Sequence, residues 1–183
     1  RHLASEVTSL MWAMSMQDLV HEEIAKQRSE AGPGDPVHTI IIPKVRFVHS
    51  GLFRVTQANP GKDKKKTRSG FTYLVEELIG GTGDGLFIKY LHNSSAVPRV
   101  LSGKDANIAA FLSFSQHLQF DKTGGLVYIS DYQVGAGGLL TDPQVMTNPY
   151  LQGELFGGGN VAAAFEAFAS EHTCNEYCVT FGL

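Results

Sequence analysis

The tightest constraint on this chain is a knot of metal-binding residue types around position 175. Glu171-His172-Thr173-Cys174-Asn175-Glu176-Tyr177-Cys178 places one imidazole and two thiols within seven positions, and these two cysteines are the only ones in the chain. Donors this close need one distant ligand to complete a tetrahedral zinc site, so a fold that uses them must bring a remote element to this corner. On a helix, Cys174-x-x-x-Cys178 sets both sulfurs on one side of a turn. The residues leave two other readings open: buried thiols beside a surface histidine, or a disulfide. Four-residue spacing on a helix suits a disulfide poorly.

The rest of the chain limits partners more than chemistry. Net charge is −3 over 183 residues, so no global basic field recruits nucleic acid or anionic lipid. The one basic run, Lys62 to Arg68, follows Asn59-Pro60-Gly61 and reads as a solvated loop tip. No stretch approaches the ~18 apolar residues of a membrane span. Neither nucleic acid nor a membrane is therefore expected as a partner. With no visible secretory leader, an intracellular, cytoplasmic and reducing setting is expected. An apolar fraction of 43% supports a sizeable core, and the length suits one domain. Arg1 opens inside an apparent helix, which reads as missing upstream sequence.

Leu3, Val7, Leu10, Met11, Met14, Val20 and Ile24 recur at three- and four-residue steps, the stripe of a long amphipathic helix. Met11, Met14 and Met16 beside Trp12 read as core filler. Ala31 to Pro36 ends the helix in a loop. Strands are expected over Val37–Ile42, Val45–Val48, Leu52–Thr56, Phe71–Val75, Leu86–Leu91 and Leu126–Ile129. Helices are expected over Ala106–Leu118 and Val161–Glu171, and Gly135–Gly138 reads as a glycine-rich loop. Without regular βαβ alternation or an internal repeat, the fold class is α+β.

Asp131 and Gln133 follow the apolar strand directly. Alternate residues on a strand face the same way, so a carboxylate and an amide are expected on one spot. Asp142 lies beyond the glycine loop. Two carboxylates and an amide oxygen suit Mg²⁺ with substrate phosphates, and one carboxylate could orient a hydroxyl proton. The plainer alternative is that Asp131 ends a strand and Asp142 caps a turn. Gly157-Gly158-Gly159-Asn160 feeding a helix offers an anion or peptide site; too little sequence follows it for a dinucleotide fold. His117, at the end of the Ala106–Leu118 helix, is one candidate for the distant fourth ligand.

In order along the chain, several pieces resemble the alpha-kinase family of atypical serine/threonine kinases. Val75-Glu76-Glu77 and Gly85-Leu86-Phe87-Ile88-Lys89-Tyr90 resemble its hinge and G-x-F-x-K-[YF] strand. Phe114-Ser115-Gln116-His117 resembles its F-S-H helix end. Asp131-Tyr132-Gln133 and Leu140-Thr141-Asp142-Pro143 are similar to D-L-Q-G and L-T-D-P. Phe156 to Asn160 resembles the late glycine-rich loop, and His172-x-Cys174-Asn175-x-x-Cys178 matches H-x-C-N-x-x-C. The likeness runs from about Phe71 to Leu183.

The resemblance implies a two-lobed kinase-like fold in one domain over residues 1–183. Residues 1–75 would be the remainder of an incomplete N-terminal lobe, and 76–183 the hinge and zinc-stapled C-terminal lobe. It implies a serine/threonine protein kinase using MgATP on a protein substrate. Asp131 and Lys89 would be catalytic. Glu76, Gln133 and Asp142 would bind Mg-ATP, with the backbone at Glu76 meeting adenine. Gly157, Gly159 and Asn160 would border the substrate cleft. His117, His172, Cys174 and Cys178 would hold structural zinc. Three departures stand out: Val134 replaces the glycine of D-L-Q-G, the Asp131–Asp142 loop is one residue longer, and Ala162 stands where the family prefers glycine. With no ATP-gripping lysine upstream in this sequence, they motivate the alternative of a catalytically deficient pseudokinase or zinc-stabilised interaction module.

Overall fold

A computed structural model describes residues 2–55, 71–80, 87–151, 156 and 160–183. The basic run, most of the Gly80–Gly85 stretch and Gly157–Gly159 lie outside the described residues. Helix α1 (His2–Glu30) buries Leu10, Ala13, Met16, Val20 and Ile24, at the spacing that lines one helical face. Met11 and Trp12 instead point outward, 61% and 46% exposed, so the core-filler reading holds for Met16 and not for Met11. Trp12 meets Phe156 edge-on at 5.5 Å.

No strand forms over Val37–Ile42. Asp35 accepts a hydrogen bond from the Val37 amide at 3.0 Å and caps a 3₁₀ turn over Pro36–His38. Side chains then take the carbonyls a sheet would have used. Arg28 donates to the Val37 and Ile40 carbonyls at 2.8 Å each, and the Tyr177 hydroxyl donates to the Ile41 carbonyl at 2.8 Å. The β-branched run fits a strand by propensity, but propensity yields to tertiary hydrogen bonding.

Among the described residues eight short strands follow: β1 (Arg46–Phe47), β2 (Ser50–Arg54), β3 (Thr72–Glu76), β4 (Ile88–Lys89), β5 (Val127–Ser130), β6 (Gln133–Val134), β7 (Leu139–Thr141) and β8 (Gln144–Thr147). They build a four-stranded sheet in the order β1-β7-β6-β4 and two antiparallel pairs, β2–β3 and β5–β8. In the larger sheet β1 runs parallel to β7, and the other pairings are antiparallel. With helices and mixed sheets, the fold is α+β.

Helix α2 (Gly103–Lys122) occupies the centre. Ile108, Phe111, Leu112 and Ser115 are buried as expected, and so are Phe114, Leu118, Gln116 and Gln119. It is enclosed because α1, β5 and α4 (Glu176–Thr180) all pack on it. Phe114 meets the Tyr177 ring at 5.9 Å and the Phe181 ring at 5.3 Å; truncating such a fully buried aromatic costs about 3–5 kcal/mol. A second cluster joins Tyr128, Met146, Phe165 and Phe168, with α3 (Ala162–Glu171) supplying the last two. Residues far apart in sequence also meet directly: Gln27 donates to the Phe181 carbonyl at 3.2 Å, across 154 positions.

Candidate functional site

Strands β5, β6, β7 and β8 are one interrupted hairpin. Ser130 pairs with Gln144 and Gln133 with Thr141, leaving two residues on each side between these rungs. The register is therefore the same across the gap, but the pairing stops there. Its two aspartates adopt left-handed backbone conformations, Asp131 at φ 60° and Asp142 at φ 52°. Asp tolerates this region better than most residues, and such conformations concentrate at functional sites. The strand thus ends at Ser130, and Asp131 and Gln133 do not lie on one continuous strand face. They converge by a different route, through the break.

The neighbouring strand completes the cluster. In β4, Lys89 lies opposite Gln133, and its Nζ reaches Asp131 Oδ1 at 2.5 Å. Gln133 Nε2 donates to Asp142 Oδ2 at 3.3 Å. Asp131 is buried, 8% exposed, while Asp142 is exposed. One ammonium, two carboxylates and an amide meet here, with one carboxylate shielded and the other open to solvent.

The turn of the hairpin shows why Val134 can stand where a glycine was expected. Its side chain is buried in the sheet, with Ile88 and Leu140 as its strand partners. The close approach falls on Gly135 instead, where an added Cβ would lie 2.5 Å from Ile79 Cγ2 and 2.9 Å from the Phe87 ring.

Near the other end of the sequence, the metal donors come together. The donors His117, His172, Cys174 and Cys178 place their ligand atoms within 4.8 Å of one another. His117 Nδ1 lies 3.7 Å from Cys174 Sγ, and His172 Nε2 lies 3.6 Å from Cys178 Sγ. Tetrahedral zinc with bonds of about 2.0–2.3 Å sets its ligand atoms roughly 3.3–3.8 Å apart, so these two pairs match that spacing and the donor set is compatible with the ion. The two sulfurs do not share a helical turn. Asn175 caps α4, accepting from the Tyr177 and Cys178 amides, which leaves Cys174 outside the helix and Cys178 within it. His117 comes from inside α2, which runs five residues past it to Lys122.

Burial sets the protonation of these donors. It lowers His172 to about 4, with His117 nearby adding to the effect. It also lowers His117, against the opposing pull of Asp121. The Cys178 thiol is pushed up to about 11, chiefly by burial. Both shifts favour the neutral imidazole that a metal requires, and a metal ion would have to displace the proton of the Cys178 thiol.

Of the remaining sequence-derived residues, Glu76 and Asn160 are described. Glu76 ends β3, opposite Ser50. Asn160 binds β8: its Oδ1 accepts from the Thr147 amide at 3.2 Å, and its Nδ2 donates to Thr147 Oγ1 at 2.6 Å. Gly157 and Gly159 lie outside the described residues. Sequence reasoning passed over Glu77, which takes a bidentate pair from Arg46, 2.7 Å on each oxygen. It also accepts from the His49 amide at 3.3 Å. This holds the segment after β3 against β1, and Arg46 lowers Glu77 to about 2. A lone Arg-Glu pair 31 positions apart carries no sequence signal. No helix among the described residues is long and apolar enough to cross a membrane.

An interrupted acidic hairpin, a lysine on the adjacent strand and a His₂Cys₂ cluster are the chemical features that this fold assembles. The model of the alpha-kinase family matches residues 16–178. The chain belongs to the alpha-kinase family, and that membership supports a function of the protein-kinase type, with ATP, Mg²⁺ and a protein substrate as the family's general requirements. No curated protein matches the chain.

Proposed function

We propose that the chain is a serine/threonine protein kinase that moves the γ-phosphoryl group of MgATP to a protein hydroxyl. The observation that carries this reading is the meeting of Lys89, Asp131, Gln133 and Asp142 at the hairpin break. Phosphoryl transfer needs positioning and charge neutralisation more than covalent help from the protein. Asp131, shielded and fixed by its neighbours, would orient the accepting hydroxyl and take its proton as the new P–O bond forms. Gln133 and Asp142 would hold Mg²⁺, which supplies charge neutralisation at the phosphates when bound. Lys89 would leave Asp131 for the phosphate oxygens once nucleotide is present. The backbone at Glu76 would meet adenine, and Gly157, Gly159 and Asn160 would border the protein substrate.

His117, His172, Cys174 and Cys178 would hold zinc as a structural ion, stapling α2 to α4. On this reading residues 1–75 and 76–183 are the two lobes of one domain. Two measurements test it. Isothermal calorimetry should detect MgATP binding that weakens when Asp142 is replaced by Ala. Phosphate incorporation into a serine- and threonine-containing protein should fall by about 10²–10⁴-fold in Asp131→Ala, the range for losing a general base. Undiminished transfer by Asp131→Ala would remove its assigned role, and absence of MgATP binding would overturn the kinase reading.

A further inference from the structure

Two buried glutamines on α2 do the work of a neighbouring strand for β5. Ile129 pairs with Val145 on one side. On its other side its amide donates to Gln119 Oε1 at 2.8 Å, and its carbonyl accepts from Gln116 Nε2 at 2.9 Å. Both glutamines are fully buried. Buried backbone groups must be paired, so these side chains satisfy a strand edge inside the core.

Gln119 does more than cap that edge. Its Nε2 also lies 3.3 Å from the Tyr132 hydroxyl and donates to the Met16 carbonyl at 3.3 Å. One side chain therefore grips the residue two before Asp131 and the residue just after it. Tyr132 is wholly buried and stacks on Phe47 at 6.0 Å, so its ring is a rigid handle. Between these two grips the backbone turns left-handed at Asp131. Such a conformation persists only where its surroundings over-determine it.

We infer that Gln119 is a positioning residue for Asp131, with Gln116 in support. It fixes the backbone on both sides of the left-handed turn, so that the carboxylate stays at Lys89 and faces the site. The inference rests on the proposed role of Asp131 for its catalytic meaning, but the positional claim can be read without any activity. Gln116 has the lesser part: it makes a single hydrogen bond to Ile129, and its own Oε1 has no hydrogen-bond partner among the described residues.

The test compares Gln119→Met, Gln116→Met and Tyr132→Phe with the unaltered chain, well below each thermal midpoint. Carbon-detected NMR reads the Asp131 backbone and carboxyl resonances. Gln119→Met should move both, Tyr132→Phe should move them less, and Gln116→Met least. In the transfer assay Gln119→Met should lower kcat on the order of 10–100-fold, as misplacement of a catalytic group does, with KM for ATP within about twofold. A merely structural role would scale activity with the folded fraction and leave the Asp131 resonances in place. Unshifted Asp131 resonances in Gln119→Met would overturn the inference. If that variant fails to fold, unshifted resonances in Tyr132→Phe would do the same. Transfer that survives Asp131→Ala would refute the catalytic role of Asp131 alone, and the NMR comparison would still decide what holds it.

Discussion

Gly138 offers the sharpest stability test of the hairpin. Its φ is +80°, and an added Cβ would lie 2.2 Å from the Lys44 carbonyl oxygen. A comfortable carbon–oxygen contact is about 3.3–3.6 Å, so Gly138→Ala must push backbone from backbone by about 1 Å. Neither partner is a side chain that can swing away. The left-handed conformation costs an alanine about 1–2 kcal/mol, and the forced shift adds about 1–3 kcal/mol, for roughly 2–5 kcal/mol in total. Gly137 supplies the control. Its φ is +72°, but nothing lies within 4 Å of its Cβ position, so Gly137→Ala should lose only the conformational part. Urea unfolding of the two variants should therefore differ by about 1–3 kcal/mol, read from their midpoints at constant slope. The shift should also reach Asp142, because β7 leads from Gly138 into it. Gly138→Ala should then bind MgATP more weakly than Gly137→Ala. Equal midpoints for the two variants would refute the clash.

Elemental analysis should find one zinc per chain, and a strong chelator should lower the thermal midpoint and expose apolar surface around α4, since structural zinc contributes folding free energy directly. An unchanged midpoint in chelator would rule out a structural metal. Glu77 should make the protein acid-sensitive in a defined window. Arg46 and the His49 amide hold its carboxyl at about 2, below the ordinary 4.5, so its contribution is fully present above pH 4.5 and is lost as pH falls toward 2. Glu77→Gln should flatten the acid limb of the stability curve between those values, and an identical limb would show that the pair contributes nothing.

Much of the site could be read from residue types and spacing, and little of its geometry. The His172, Cys174 and Cys178 donors converge because tight spacing leaves them little choice. His117 lies 55 positions before His172; its place near a helix end made it one candidate for the fourth ligand, and the resemblance to a known family pointed to it as well. The helical-turn picture of the two thiols failed at Asn175, whose side chain caps α4 from a position between them. Asp131 and Gln133 were expected on one strand face, and the left-handed turn at Asp131 breaks that strand. Periodicity has no term for such a turn, and Asp is common in ordinary loops too. The Val37–Ile42 strand failed for a related reason: Arg28 and Tyr177 occupy its carbonyls, and neither residue is near enough in sequence to be seen. Long helices were legible where one face repeats, as in α1 and α2. Nothing in the sequence marked the glutamines of α2, and their use as a strand edge emerges only in three dimensions.

The hydrogen bonds from Gln27 to Phe181 and from Tyr177 to Ile41 span 154 and 136 positions. A ribosome delivers the early helix long before its partners. Until residues 177–181 emerge, α1 and the 3₁₀ turn lack the groups that seal them, and the aromatic cleft against α2 stays open. Closure is thus a late, long-range event, of the kind that slows folding and leaves sticky surface uncovered in the meantime. The nascent protein is most vulnerable to aggregation just before residues 177–181 emerge.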